Sequence, residues 1–368
     1  MEARLLIAGG GTGGHLFPGM AVAEEWMSRG PEMKVLFVGT TAGIESRLVP
    51  AAGWDFRPVR VSGLAGKGLA DRIKGAALAP VGLIEAARVV REFRPHVALG
   101  VGGYASGPAI AAAWLLGVPV AVQEQNAAPG ATNKILGRVA KRIFVTFEVG
   151  RREFSTANGK GRVTVAGNPV RRKIVEALTG GRREESDRVR LFITGGSLGA
   201  HALNELVPQA VGLLRPESRS RLSVRHQTGE RDREAVEQAY RVRGIEAQVE
   251  AFVTDMAGAY LAADLVISRS GAGAVAEIAL AGLPSILVPF PFAAADHQAV
   301  NAAALADAGA AVMLRQDGLT PERLAAEISR LVDNPEVRRK MSAAARGVAR
   351  PQAAKTVVDE CLRLMKTR

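Results

Sequence analysis

Two halves of this chain are written to one pattern. Arg4-Leu5-Leu6-Ile7-Ala8 runs into Gly9-Gly10-Gly11-Thr12-Gly13-Gly14, and Arg190-Leu191-Phe192-Ile193-Thr194 runs into Gly195-Gly196-Ser197-Leu198-Gly199. Further along each half a strand, a helix and a strand recur. Pro95-His96-Val97-Ala98-Leu99-Gly100 leads to Gly117-Val118-Pro119-Val120-Ala121-Val122, and Ala263-Asp264-Leu265-Val266-Ile267-Ser268 leads to Gly282-Leu283-Pro284-Ser285-Ile286-Leu287. Short apolar strands alternating with helices assemble into parallel sheets through right-handed crossovers. The expected fold class is therefore α/β, with two doubly wound, Rossmann-like domains facing each other across a cleft. A chain of 368 residues, 48% hydrophobic, can fill two such cores. The join is expected near Gly167-Asn168-Pro169, giving an N-terminal domain over 1–166 and a C-terminal domain over 167–350. The polar run 180–190 reads as a loop inside the second, and 351–368 as a closing helix.

The segment 263–289 points to a nucleotide sugar. Beyond Arg269 its strand ends on Ser270-Gly271-Ala272-Gly273, small residues that let a diphosphate approach the amides and the positive dipole of the next helix. Glu277 follows on an otherwise apolar helix, where an unpaired carboxylate is costly and two ribose hydroxyls would satisfy it. A Glu merely solvated on the outer face is the plainer alternative. Against it stands the polar cluster Asp296-His297-Gln298 with Asn301 after the next strand, where such folds bind ligands. In the first half, Gly9, Gly11 and Gly14 fit the dinucleotide fingerprint, but Val35-Leu36-Phe37-Val38 ends in Gly39-Thr40 rather than the acid that fingerprint needs. A nicotinamide oxidoreductase is thus the weaker alternative, and a non-catalytic nucleotide-sugar or membrane-binding protein a third.

The formal charge of +12 calls for an anionic partner. With aromatics at 5% and no basic run interleaved with Phe or Tyr, nucleic acid is disfavoured. One cysteine, Cys361, excludes an internal disulfide and a Cys-based zinc site, as suits a reducing cytosol. His96, His201 and His226 lack ligand-like spacing and read as structural. Two uncharged stretches, 100–123 and 278–295, are broken by Gly and Pro into a short helix and a buried strand, not membrane spans. The opening apolar run is too short for a signal peptide.

Six ordered motifs carry a family resemblance. They are Gly10-Gly11-Thr12-Gly13-Gly14-His15 with Pro18-Gly19; Gly102-Gly103-Tyr104 with Ser106-Gly107-Pro108; Glu124-Gln125-Asn126 with Thr132-Asn133-Lys134; Gly167-Asn168-Pro169-Val170-Arg171; Gly195-Gly196-Ser197 with Gly199-Ala200; and the 270–284 cassette. Over nearly its whole length the chain resembles the MurG family, the peptidoglycan N-acetylglucosaminyltransferases of glycosyltransferase family 28 that convert lipid I to lipid II. Gln123 stands where the family usually has His, and Ala131 where Leu is common.

The resemblance implies a GT-B fold and an inverting transfer of GlcNAc from UDP-GlcNAc to the 4-hydroxyl of MurNAc in undecaprenyl-diphospho-MurNAc-pentapeptide. It implies no cofactor and a peripheral position on the anionic cytoplasmic face of the membrane. Donor-binding positions would be Thr12, Gly13, Gly14, Asn126, Arg171, Ser197, the backbone of Val253 beside Phe252, Ser270, Gly271, Ala272, Glu277, His297 and Gln298. Acceptor-binding positions would be Thr12, His15, Tyr104, Glu124 and Asn126, and the closing helix would pack on the first domain. With no Asp-x-Asp pair to hold a metal, amides and fixed positive groups must stabilise the departing UDP. His15 titrates near neutrality and leads as the base, with Glu124 its rival and a diphosphate-binding or capping role its alternative. Between Gly63 and Arg94, Leu64, Leu69, Ile73, Leu78, Leu83 and Ile84 are interspersed with Lys67, Arg72, Lys74, Arg88, Arg91 and Arg94. Such a mixture suits an anionic bilayer once the lipid-linked acceptor is implied, although on its own it reads as an amphipathic core helix.

Overall fold

A computed structural model describes residues 2–61, 69–154, 161–181, 186–196 and 198–366, without the side chains of 69–79. The chain divides into two compact units, Met1–Arg172 with Arg350–Arg368, and Lys173–Ala349.

The first unit holds seven strands: β1 (Ala3–Ala8), β2 (Met33–Gly39), β3 (Asp55–Pro58), β4 (Val97–Gly100), β5 (Val120–Glu124), β6 (Arg142–Val145) and β7 (Val163–Val165). They form one parallel sheet in the order β3-β2-β1-β4-β5-β6-β7. Helices cover both faces, so the central strands read as unbroken apolar runs without alternation. One face buries Leu5, Ile7, Val97 and Leu99 with Trp26 and with Val357, Val358, Cys361 and Leu364 of the helix Ala353–Lys366. The other buries Leu6, Val120, Val122 and Ile143 with Ile110. Burial pushes the Cys361 thiol up to about 12, which makes it an inert core residue.

The second unit holds β8 (Val189–Thr194), β9 (Leu222–Gln227), β10 (Ala247–Glu250), β11 (Leu265–Ser268), β12 (Ser285–Leu287) and β13 (Ala311–Met313), parallel in the order β10-β9-β8-β11-β12-β13. Its core gathers Leu191, Ile193, Val207, Leu265, Ile267, Ile286, Leu324 and Ile328. The run β1-β4-β5 of one sheet is repeated as β8-β11-β12 in the other, so the duplicated sequence pattern is a duplicated topology. In both, strand order reverses beside the first strand of the unit. That reversal is the switch point, where loops leave the carboxyl ends of the strands and open a ligand crevice.

The two uncharged stretches resolve into the helix Ser106–Leu115 followed by β5, and the helix Ala272–Ala281 followed by β12. Among the described residues no helix is long and apolar enough to cross a membrane. The first unit runs on to Arg172 because Ala166 is buried in its core and Gly167 backs onto Arg350 and Ala353.

Candidate functional site

In the first unit the turn after β1 delivers Thr12 as N-cap of the helix Gly13–Met27, with Gly13 and Gly14 in its first turn. Thr12 Oγ1 lies 3.1 Å from His15 Nδ1. The imidazole is half-buried and fills the space beside Gly102, where a Cβ would come within 2.7 Å of His15 Cδ2. With φ +91, Gly102 also sits in the left-handed region, so glycine is required there twice over. Asn133 Nδ2 borders the same point at 3.4 Å. Tyr104 is exposed in the turn after β4.

Glu124 ends β5 and is 1% exposed. Its Oε1 accepts the Asn126 N–H at 2.9 Å, and its Oε2 accepts Asn133 Nδ2 at 2.8 Å and the Gly130 N–H at 3.1 Å. Burial raises its pKa, while these donors pull the other way. The carboxylate thus fixes the loop that carries Asn126, and through Asn133 it is tied to the wall beside His15. Arg171, at the end of the same unit, lays its guanidinium over the Phe17 ring at 5.2 Å.

In the second unit Ser270 and Gly271 join β11 to the helix Ala272–Ala281. Gln298 locks this turn: its Oε1 accepts the N–H groups of Ser270 at 3.3 Å and Phe290 at 3.0 Å, and its main-chain carbonyl accepts the Ser270 hydroxyl at 2.8 Å. Asn301 Nδ2 donates to Ser270 O at 3.1 Å. The Gln298 amide oxygen is thus committed to the turn, and the amide nitrogen is the side chain's donor end. His297 Nδ1 lies 2.7 Å from Ala294 O, an acceptor only, which puts the proton on Nδ1 and leaves Nε2 as an acceptor in the neutral ring. Glu277 is half-buried and hydrogen-bonded to the Tyr260 hydroxyl, which is itself buried and packs edge-on to Phe192 at 5.8 Å. Val253 is buried and Phe252 exposed beside it. Ser197 lies outside the described residues, as does all of 62–68, including Lys67; the side chains of Arg72 and Lys74 are likewise not described. Among the described residues no group of three or more His, Cys, Asp or Glu could hold a metal ion.

Comparison with known proteins matches residues 5–145 to the glycosyltransferase family 28 N-terminal domain and 190–357 to the glycosyltransferase family 28 C-terminal domain. The UDP-N-acetylglucosamine--N-acetylmuramyl-(pentapeptide) pyrophosphoryl-undecaprenol N-acetylglucosamine transferase of Anaeromyxobacter dehalogenans is 47% identical over 99% of this chain and 94% of its own. That of Myxococcus xanthus is 46% identical over 98% and 93%. The chain belongs to the MurG family. A crystal structure of MurG from Acinetobacter baumannii superposes with a TM-score of 0.81 at 34% identity, covering 98% of this chain and 99% of that one. The MurG match makes the chain a glycosyltransferase of GT-B fold and sets aside both the nicotinamide oxidoreductase and the non-catalytic protein.

Residues that a MurG-like motif reading passed over have clear tasks here. Glu45 is buried and accepts from the N–H of Gly11 at 2.8 Å, the N–H of Thr40 at 2.9 Å and the Thr40 hydroxyl at 3.0 Å. A dinucleotide pyrophosphate needs such turn amides, and a carboxylate already among them repels it. Arg269 is buried, donates to Val288 O and Pro289 O at 3.1 Å each and to Gln316 Oε1 at 2.6 Å, and faces Phe290 at 5.6 Å. Burial lowers its pKa to about 10. It remains a cation one residue before the Ser270 turn. Its only advance signal was position next to that motif.

Proposed function

We propose that this protein transfers GlcNAc from UDP-GlcNAc to the 4-hydroxyl of the MurNAc unit of undecaprenyl-diphospho-MurNAc-pentapeptide, with inversion, converting lipid I to lipid II. The observation that carries this is near-full-length identity to relatives named for that transfer, on a chain whose switch points hold the polar groups it needs.

The donor lies at the second switch point. Amides of Ser270, Gly271 and Ala272 take the diphosphate at a helix start, with the Arg269 charge behind them; Ser197, Arg171, Thr12, Gly13, Gly14 and Asn126 are the further donor-binding positions of the same proposal. The Val253 backbone reads uracil, Glu277 the ribose hydroxyls, and His297 with Gln298 the sugar hydroxyls. At the first switch point, His15 takes the proton of the acceptor hydroxyl as its oxygen bonds to the anomeric carbon and the bond from that carbon to the diphosphate oxygen breaks. UDP leaves with the electron pair. His15 is preferred to Glu124 because its imidazole is half-buried, whereas both Glu124 oxygens are engaged by loop donors. Glu124, Asn126, Tyr104 and Thr12 orient the acceptor.

The membrane surface is a partner in the same proposal. On the helix Leu69–Phe93, Ile84 is 65% exposed near the exposed Arg88 and Arg91. The helix Ser106–Leu115 packs against it and exposes Leu115 at 63% and Trp114 at 48%. Exposed apolar side chains on a helix that also exposes cations suit peripheral binding to an anionic leaflet. The deciding experiment is UDP release from UDP-GlcNAc with and without lipid I. Release that depends on lipid I, with a disaccharide-lipid product, is expected; acceptor-independent release or none overturns the assignment.

A further inference from the structure

Strand β9 ends on Gln227, which is 2% exposed and whose side chain has two backbone partners. Its Nε2 donates to Gly196 O at 2.8 Å, and its Oε1 accepts the Val253 N–H at 3.3 Å. A carbonyl and an N–H have fixed polarity, so only one orientation of the amide satisfies both. Gly196 sits in the glycine turn after β8, and Val253 in the segment after β10. These are the two places assigned to the diphosphate and to the base.

The surroundings leave Gln227 little freedom. The Thr228 and Gly229 N–H groups donate to Glu250 O at 2.9 Å and Ala251 O at 3.0 Å, pinning the strand end to the Val253 segment. On the other side Gly199, at φ +75, lies so near Thr228 O that a Cβ would fall 1.8 Å from it. From behind, His226 is held by Tyr240 Oη at 3.0 Å and Asn204 Oδ1 at 3.1 Å, and Asn204 Nδ2 donates to Thr228 O at 2.8 Å. The end of β9 is a rigid post between two loops, and the Gln227 amide is its crossbar.

Resting on the donor assignment above, we propose that Gln227 is a positioning residue that sets the separation between the diphosphate turn and the base-reading backbone. A ligand spanning both is thereby favoured over either of its parts. Gln227 does not touch the sugar and takes no part in proton transfer.

The test compares binding of UDP, uridine and inorganic pyrophosphate by calorimetry in the parent, Gln227→Met and Gln227→Glu. Met keeps the length and loses both hydrogen bonds. It should weaken UDP by roughly 10- to 30-fold and each fragment by no more than about threefold, since two modest hydrogen bonds are lost and only the spanning ligand needs both loops in register. The KM for UDP-GlcNAc should rise correspondingly while kcat at saturating donor stays within about threefold. In Gln227→Glu, a carboxyl protonated at lower pH can again donate to Gly196 O. UDP affinity relative to the parent should therefore recover as pH falls, a signature that also serves if the Met variant folds poorly. UDP affinity within twofold of the parent in Gln227→Met, uridine weakened as much as UDP, or a Glu variant without relative recovery would each overturn the proposal. A parent that binds no UDP refutes the donor assignment itself, and this proposal with it.

Discussion

Removing the Glu277 carboxylate is the sharpest probe of the donor site. Glu277 is half-buried on the helix Ala272–Ala281 and anchored by Tyr260, whose ring is wedged edge-on against Phe192. An ionised carboxylate has about four acceptor positions, so the Tyr260 hydroxyl leaves ample capacity for two ribose hydroxyls. Hydrogen bonds to a charged partner contribute about 1.5–3 kcal/mol each, less what water recovers at a half-buried site. Glu277→Ala should therefore cost about 2–4 kcal/mol in kcat/KM, roughly 30- to 1000-fold. Steady-state UDP release with UDP-GlcNAc and its 2′-deoxy analogue completes a cycle. The parent should use the deoxy donor about 10- to 100-fold less well, and the variant should no longer tell the two apart. Tyr260→Phe, which loosens the anchor and keeps the packing, should give a loss of roughly three- to tenfold. Equal use of both donors by the parent, or undiminished discrimination by the variant, removes Glu277 from the ribose.

His15→Ala should lower kcat by about 10²-fold or more and leave UDP affinity nearly unchanged, because a base acts in the transition state; a large loss of UDP affinity with intact kcat would make His15 a phosphate ligand. Burial holds His226 neutral with its pKa lowered to about 3, so the unfolded chain takes up a proton below pH 6.5 that the native protein refuses, and this contribution to stability is full above pH 6.5 and lost as pH falls toward 3. Urea unfolding at pH 7 and 4.5 should show about 2–3 kcal/mol less of that loss in His226→Gln than in the parent, and identical losses would contradict it. Replacing Ile84 and Leu115 together with Ser should reduce sedimentation with acidic vesicles by about tenfold or more while activity on a water-soluble acceptor persists, and unchanged binding would place the membrane contact elsewhere.

The architecture was legible because it is written in short-range pattern. The strands are apolar runs punctuated by glycine, and the same punctuation occurs twice, so two doubly wound parallel-sheet domains could be expected in advance. The glycine turns, Glu277 and the Asp296 to Gln298 cluster stood out for the same reason. What stayed hidden is chemistry between residues distant in sequence. Glu45 meets the Gly11 amide across 34 residues and reads as a solvated helix residue until β1 and β2 are laid side by side. Gln227 is one polar letter at the end of a strand, and only the pairing of β8, β9 and β10 supplies its two partners. Tyr260 looks like core, which it is, and its hydroxyl gains meaning only beside Glu277. Glu124 was visible as a carboxylate in a motif, but its cage of loop donors was not.

The helix Ala353–Lys366 has a consequence for how the molecule comes into being. It supplies Val357, Val358, Cys361 and Leu364 to a core whose other members lie within the first 166 residues. The second unit is therefore an insertion within the first, which the chain leaves at Arg172 and re-enters at Arg350. On the ribosome, at roughly 5–20 residues per second, the inserted unit can close on itself while the enclosing one still lacks a wall. For roughly 10–40 seconds at that rate, the sheet face bearing Leu5, Ile7, Val97 and Leu99 has the helix Gly13–Met27 against it but lacks its closing helix. The half that emerges first is the half that finishes last, and its exposed face is the stretch a chaperone would have to guard.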